Sequence, residues 1–308
     1  MTAGATQRHQ RFLTRAGGNG WLFVLPTVAT LLLLGIYPML NAIWESVRTE
    51  NLFNPSAAHY TGLSNYAELL GDSTFRRSLL LTAIWTGVVV TAEVVLGFAL
   101  ALLLHRRMRG IGILRTLIVI PVFVSPVAMG LVWRFIFEPT SGLANWLLHL
   151  VHLPGSLWLS STRTSLASVM ITDIWQWTPF MALILAAGLD SISPEILEAA
   201  SLDRLRGLTY LTRVLIPLIW PVLMVALFIR LVDAIRVFDL IYIMTRGGPG
   251  SSSLVGSVYA FSIFQGGDLG QTAAFGILLL IIVNLVVTVF IRYLWRQERQ
   301  MHTHQAAP

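Results

Sequence analysis

Residues 198–221 read EAASLDRLRGLTYLTRVLIPLIWP, a charged stretch that opens on Glu198 and closes on the spaced prolines Pro217 and Pro221. On either side the chain is almost wholly apolar, over 165–188 and again over 214–245. Each flank is long enough to cross a hydrocarbon core of roughly 30 Å, which takes about 20 residues of helix. A polar turn between two such runs lies in water beside a membrane, and the chain is expected to pass through the bilayer on both sides of it.

Runs of the same kind recur at 21–45, 78–104, 113–137 and 271–293, making six. Hydrophobic residues make up 55% of the chain and charged residues 12%, a balance foreign to a soluble domain. A membrane barrel would show weaker, alternating segments instead. The expected fold is all-α, a polytopic integral membrane protein with six transmembrane helices. Its expected organisation is a cytosolic tail over 1–20, a first helix and external loop over 21–75, a core over 76–293 containing the loop 190–221, and a cytosolic tail over 294–308.

Absent residue types narrow the function. There is no cysteine, which excludes disulfides and thiol chemistry. All 21 basic residues are arginine, so no G-x-x-x-x-G-K-[ST] loop can form and any ATP must be bound by another polypeptide. The first span is too long for the apolar region of a signal peptide and is expected to be retained. No H-E-x-x-H, carboxylate cluster or serine–histidine–acid arrangement accompanies the histidines, so neither a metal site, a cofactor nor catalytic residues are expected.

The formal charge of +6 does not point to nucleic acid. With the N-terminus inside, thirteen arginines fall in cytosolic segments, among them Arg106, Arg107, Arg204, Arg206 and Arg213, and six in external ones. This is the bias of cytosolic loops toward basic residues, and it puts both termini in the cytosol.

Charges inside the spans need a reason, since each costs roughly 2.5–3.5 kcal/mol on insertion scales. Span five carries Arg230, Asp233, Arg236 and Asp239, three apart with alternating sign, which suggests neighbours on successive helical turns. The set is either a self-neutralising ladder that permits insertion or a polar wall along a translocation path. Span four offers Asp173, Gln176 and Trp177, with Asp173 and Asp233 expected at similar depth. Carboxylate, amide, guanidinium and indole at one level suit a polyol, whose hydroxyls need partners and whose C–H faces stack on rings. Trp175 and Trp177 point to different sides of a helix, so at most one lines a path. Glu93 and Asn284 are lone mid-span groups and are expected to make hydrogen bonds between helices.

In the polar turn, Ser193-Pro194-Glu195 has the composition of a helix start, with proline in the first turn and an acid near the positive end of the dipole. A short amphipathic helix is expected from about 194 to 205, displaying Leu197, Leu202, Ala199 and Ala200. Its acids Glu195, Glu198 and Asp203 fit an anionic leaflet poorly and a protein partner better.

Glu198-Ala199-Ala200, then Asp203, then Ile216-Pro217 and Pro221 resemble the EAA loop of permease subunits in binding-protein-dependent ABC importers. Ala187-Gly188-Leu189, Ile192-Ser193-Pro194, Phe238-Asp239-Leu240-Ile241-Tyr242 and Gly247-Gly248-Pro249 resemble the sugar branch of that family, which includes the maltose, trehalose and glycerol-3-phosphate permeases. The resemblance implies an ABC importer permease core that pairs with a second permease subunit as a heterodimer, two ABC ATPase subunits and an external solute-binding protein. It implies a sugar as substrate, with a polyol or glycerol-phosphate-like solute as the alternative. A rival reading, drawn from the intramembrane acids and not from the resemblance, is a proton-coupled secondary transporter using Asp173 and Asp233, and the EAA-like loop argues against it. Glu198, Ala199, Ala200 and Asp203 would make the ATPase contact. The family's glycine directly after the aspartate is replaced here by Arg204, and the next glycine is Gly207.

Overall fold

The computed structural model describes residues 20–105, 109–202 and 206–305. The chain divides into two compact units, one reaching to Leu69 and including Ile263–Leu278, the other comprising Leu70–Ser262 and the chain from Leu279 onward.

In the first unit, helix α1 (Gly20–Leu31) passes through a π-helical turn, Leu32–Ile36, into α2 (Tyr37–Ser46). The apolar side chains along this span face outward from the chain, as suits a helix surrounded by lipid or by another protein. The segment expected as an external loop is ordered instead. Strands β1 (Arg48–Asn51) and β2 (Asn54–Tyr60) form an antiparallel hairpin, followed by helix α3 (Ser64–Gly71). The Asn65 amide fastens the hairpin by donating to the carbonyls of Ser46 at 2.9 Å and Arg48 at 2.8 Å.

The second unit is organised by α4 (Ser73–Leu104), about 48 Å long at 1.5 Å per residue. Asp72 caps it, accepting from the Thr74 N–H at 2.8 Å and from the Tyr259 hydroxyl at 2.5 Å. These bonds, the tyrosine's first, hold the Asp72 carboxyl below its usual range, while burial, and after it the same pairing, raises the phenol. Buried positions Ser78, Thr82, Trp85, Val89, Glu93, Gly97, Ala101 and Leu104 recur every three or four residues and form one face.

Span three does not run straight. It divides into α5 (Ile111–Val119), a 3-10 turn at Ile120–Phe123, and α6 (Pro126–Ile136), with a bend of 97°. Pro126 cannot donate a helical hydrogen bond and forces Ser125 into an extended conformation, which breaks the helix. Among the described residues five helices are therefore long and apolar enough to span a membrane, or six if the bent pair counts as one.

Helix α7 (Leu143–Leu150) precedes α8 (Ser165–Asp190), which packs along α4. At Gly97 the two helices come close, since an added Cβ would lie 2.7 Å from the Met181 side chain. Small residues let backbones meet where lipid offers no hydrophobic drive for association. Helix α9 (Pro194–Leu202) follows, then α10 (Gly207–Tyr210), which continues through a π-turn into α11 (Ile216–Ile235).

The fifth span thus starts earlier than expected and ends earlier too, at Ile235, with α12 (Asp239–Thr245) a separate short helix. Helix α13 (Gly256–Gln265) and the long α14 (Leu269–Gln305) complete the chain. The Asn284 amide donates at 2.8 Å to the Leu280 carbonyl one turn back in its own helix, and among the described residues it makes no bond to another helix. Two apolar clusters fill the second unit. One gathers Trp85, Val89, Val169, Leu240 and Ile241, and the other Ala101, Met181, Leu185, Leu215 and Ile219. Glu93, Asp173 and Arg230 lie between them along α4, α8 and α11.

Candidate functional site: a polar cavity and an exposed helix

Arg230 is 1% exposed and is the centre of the polar layer. Its Nε donates to Glu93 Oε2 at 2.7 Å and its Nη2 to Glu93 Oε1 at 2.8 Å, a bidentate pair across α4 and α11. Nη2 also donates to Asp173 Oδ2 at 2.9 Å on α8, and Nη1 to Asp233 Oδ2 at 2.5 Å one turn along α11. The guanidinium carbon sits 4.7 Å from the centre of the Trp177 ring. One cation therefore ties three helices together in a setting where unpaired charge would be very costly.

This arrangement corrects the ladder expected from spacing. Only Arg230 and Asp233 pair along one helix. Because α11 stops at Ile235, Arg236 caps its end and Asp239 opens α12, so neither continues the series. Among the described residues no ion pair joins Asp233 to Arg236 or Arg236 to Asp239. Glu93 does bond between helices, as expected, and its partner is the Arg230 guanidinium. The sequence did carry a signal for it, since an acid in mid-span with no local partner needs a distant cation.

A cavity of about 140 Å³ opens beside this cluster. Asp173, Gln176, Trp177, Arg230, Asp233, Arg236 and Asp239 all line it, so the chain brings together every residue that the sequence marked for a path. Sequence reading missed Pro126 and the Val237–Phe238 segment, which enter because two helices break here. The break in span three exposes the Val124 carbonyl, and the Gln176 amide satisfies it at 2.9 Å. Irregular backbone at membrane depth is tolerated where it is buried in protein or lines a cavity. Trp175 points elsewhere, is about half exposed and meets Trp133 edge-on at 5.6 Å.

Helix α9 is the second candidate region. Leu197 packs into the apolar cluster, and Ala200 is buried at 6% exposure. Glu195, Glu198 and Ala199 face outward. Ala200 was expected on the outer face with Ala199; the helix turns it inward instead, where its small side chain lets α9 pack close. Asp203 and Arg204 lie outside the described residues. Gly207 takes a left-handed φ of +57°, which only glycine adopts without strain, so the chain turns there. Before α9, Asp190 ends α8 by accepting from His105 at 2.7 Å and from Arg115 at 3.2 Å.

Residues 93–300 match the model of the family described as binding-protein-dependent transport system inner membrane component. The chain is 34% identical over 273 residues to the trehalose/maltose transport system permease protein MalF of Thermococcus litoralis, covering 89% of this chain and 92% of that one. The chain belongs to this permease family. It is also 35% identical over 292 residues to the trehalose transport system permease protein SugA of Mycobacterium tuberculosis, covering 94% and 93% of the two chains. In fold, the permease superimposes with a TM-score of 0.78 on a chain of a bacterial ABC transporter involved in the import of the acidic polysaccharide alginate, at 22% identity and over 93% and 99% of the two chains. The permease is a multi-pass membrane protein and a transport subunit, not an enzyme.

Proposed function

We propose that this permease imports an uncharged sugar or related polyol, with the cavity beside Arg230 as part of the path and α9 as the contact to a separate ATPase. The observation that carries the substrate reading is the cavity wall itself. The Trp177 ring offers a flat face, while Gln176, Asp173, Asp233 and Arg236 offer hydrogen-bonding groups around it. The names of its relatives, trehalose and maltose permeases, support the same class. Use of Asp173 as a proton carrier fits less well, because its carboxylate is held by the Arg230 guanidinium.

The proposed assembly contains this chain, a second permease subunit, two ABC ATPase subunits and an external solute-binding protein, in a bacterial inner membrane with both termini cytosolic. ATP binding draws the ATPase pair together, and α9, carrying Glu198 and Ala199 outward, transmits that movement to α8 and α11. Asp203, Arg204 and Gly207 complete the contact. The test is ATP-driven sugar uptake by the reconstituted complex. Asp233→Ala, at a half-exposed cavity position, is expected to lower uptake at least about fivefold, near 1 kcal/mol, while the complex still assembles. Unchanged uptake removes the cavity from the path.

A further inference from the structure

We infer that the cavity rejects anionic solutes, and that Glu93 sets this selectivity by occupying Arg230 from behind. The inference rests on the reading of the cavity as part of the sugar path. An arginine in a binding cavity ordinarily recruits carboxylates or phosphates. Here the Nε, Nη1 and Nη2 donors are directed to Glu93, Asp173 and Asp233, and the residue is 1% exposed. Three carboxylates surround this one guanidinium. Arg236 and Asp239 also line the wall, both exposed and, among the described residues, not joined by an ion pair, so in and behind the wall four carboxylates stand against two guanidinium groups. An entering anion would meet surplus acid and no accessible donor on Arg230, and like charges brought together in a desolvated site repel strongly.

A second observation points to what the wall accepts. The Gln176 side chain is 1% exposed, with its amide nitrogen committed to the Val124 carbonyl. Its Oε1 has no hydrogen-bond partner among the described residues. A buried acceptor without a donor is costly, and together with the carboxylates it makes the wall rich in acceptors. The complementary ligand is a neutral molecule rich in hydroxyl donors. Glu93 does not line the cavity; it is a positioning residue that acts through Arg230.

The test uses the purified importer complex without its solute-binding protein, titrated with trehalose and with trehalose 6-phosphate. Binding is read as the part of the tryptophan fluorescence change that disappears in Trp177→Phe. Wild type is expected to bind the phosphate at least about tenfold more weakly than the neutral sugar, the equivalent of 1.4 kcal/mol. Glu93→Gln, which keeps the shape but removes the charge, is expected to narrow that gap to under about threefold. Asp233→Asn is expected to shift the ratio in the same direction, and its half-exposed position keeps the test usable if Glu93→Gln does not assemble. A change in the ratio between two ligands is something a merely structural role would not produce. If wild type binds both sugars equally through Trp177, or if both variants keep the wild-type ratio, the charge selectivity is wrong while the cavity stands. If neither sugar gives a signal dependent on Trp177, the cavity reading fails and this inference with it.

Discussion

Arg230 and Glu198 are both charged residues in a strongly apolar chain, yet the first is 1% exposed and bonded to three carboxylates while the second lies on an outward helix face. The buried site can exist only because helices distant in sequence supply its partners. The exposed one is built from a single nine-residue helix whose inner face, Leu197 and Ala200, packs on the chain's own core. Substitution at Arg230 should therefore act on the fold, and substitution at Glu198 on coupling.

The sharpest way to break that contrast is Arg230→Met. It leaves Glu93 and Asp173 buried without a counter-charge, a loss of about 3–5 kcal/mol for a broken buried pair. The expected result is a chain that fails to assemble or melts far below wild type in detergent, followed by size exclusion and thermal unfolding. A variant that assembles and melts normally would show that the cluster does not hold the three helices together.

Glu198→Arg sharpens the other side. The complex should assemble and melt as wild type does, while sugar-dependent ATPase activity falls about 5–150-fold, the range of ordinary coupling energies. A loss of assembly with intact coupling would reverse the assignment.

The smallest effect is expected at an exposed carboxylate satisfied by its own turn. Glu138 Oε2 accepts from the N–H groups of Ser141 at 2.5 Å and Thr140 at 2.9 Å and from both hydroxyls. These bonds, the Ser141 N–H foremost, draw its pKa from 4.5 down to about 2. A depressed carboxyl contributes its full stabilisation above 4.5 and loses it as pH falls toward 2. Protection of the amides of residues 140 and 141, taken relative to intrinsic exchange at each pH, should fall over that window in wild type. In Glu138→Gln the protection should lack this pH dependence; a step in protection that persists would mean another group titrates there.

Several features are legible in the order of the residues alone. The apolar runs, the polar turn at 190–221 and a helix starting at Pro194 follow from composition and local order, and the observed α9 begins at Pro194. The seven residues marked for a path do line one cavity. What spacing misjudged was their pairing. A period of three reads as a ladder only while the helix continues, and α11 stops at Ile235. The bend in span three escaped for a related reason. Prolines within membrane helices are common and often only kink them, so Pro121 and Pro126 did not by themselves announce a 97° turn. The hairpin of β1 and β2 was also missed, because its short, largely exposed strands carry no alternating pattern.

The sequence by itself determined that this chain lives in a membrane, that it lacks a lysine for an ATP-binding loop, and that a charged helix interrupts its spans. Those properties depend on composition and on neighbours a few residues away. Only the tertiary structure decided that Arg230 belongs to Glu93, 137 residues earlier, and to Asp173 on a third helix. It also placed Gln176 against the broken backbone at Val124. In a low-dielectric interior every buried charge and every freed carbonyl must find a partner, and which partner it finds depends on how the helices pack.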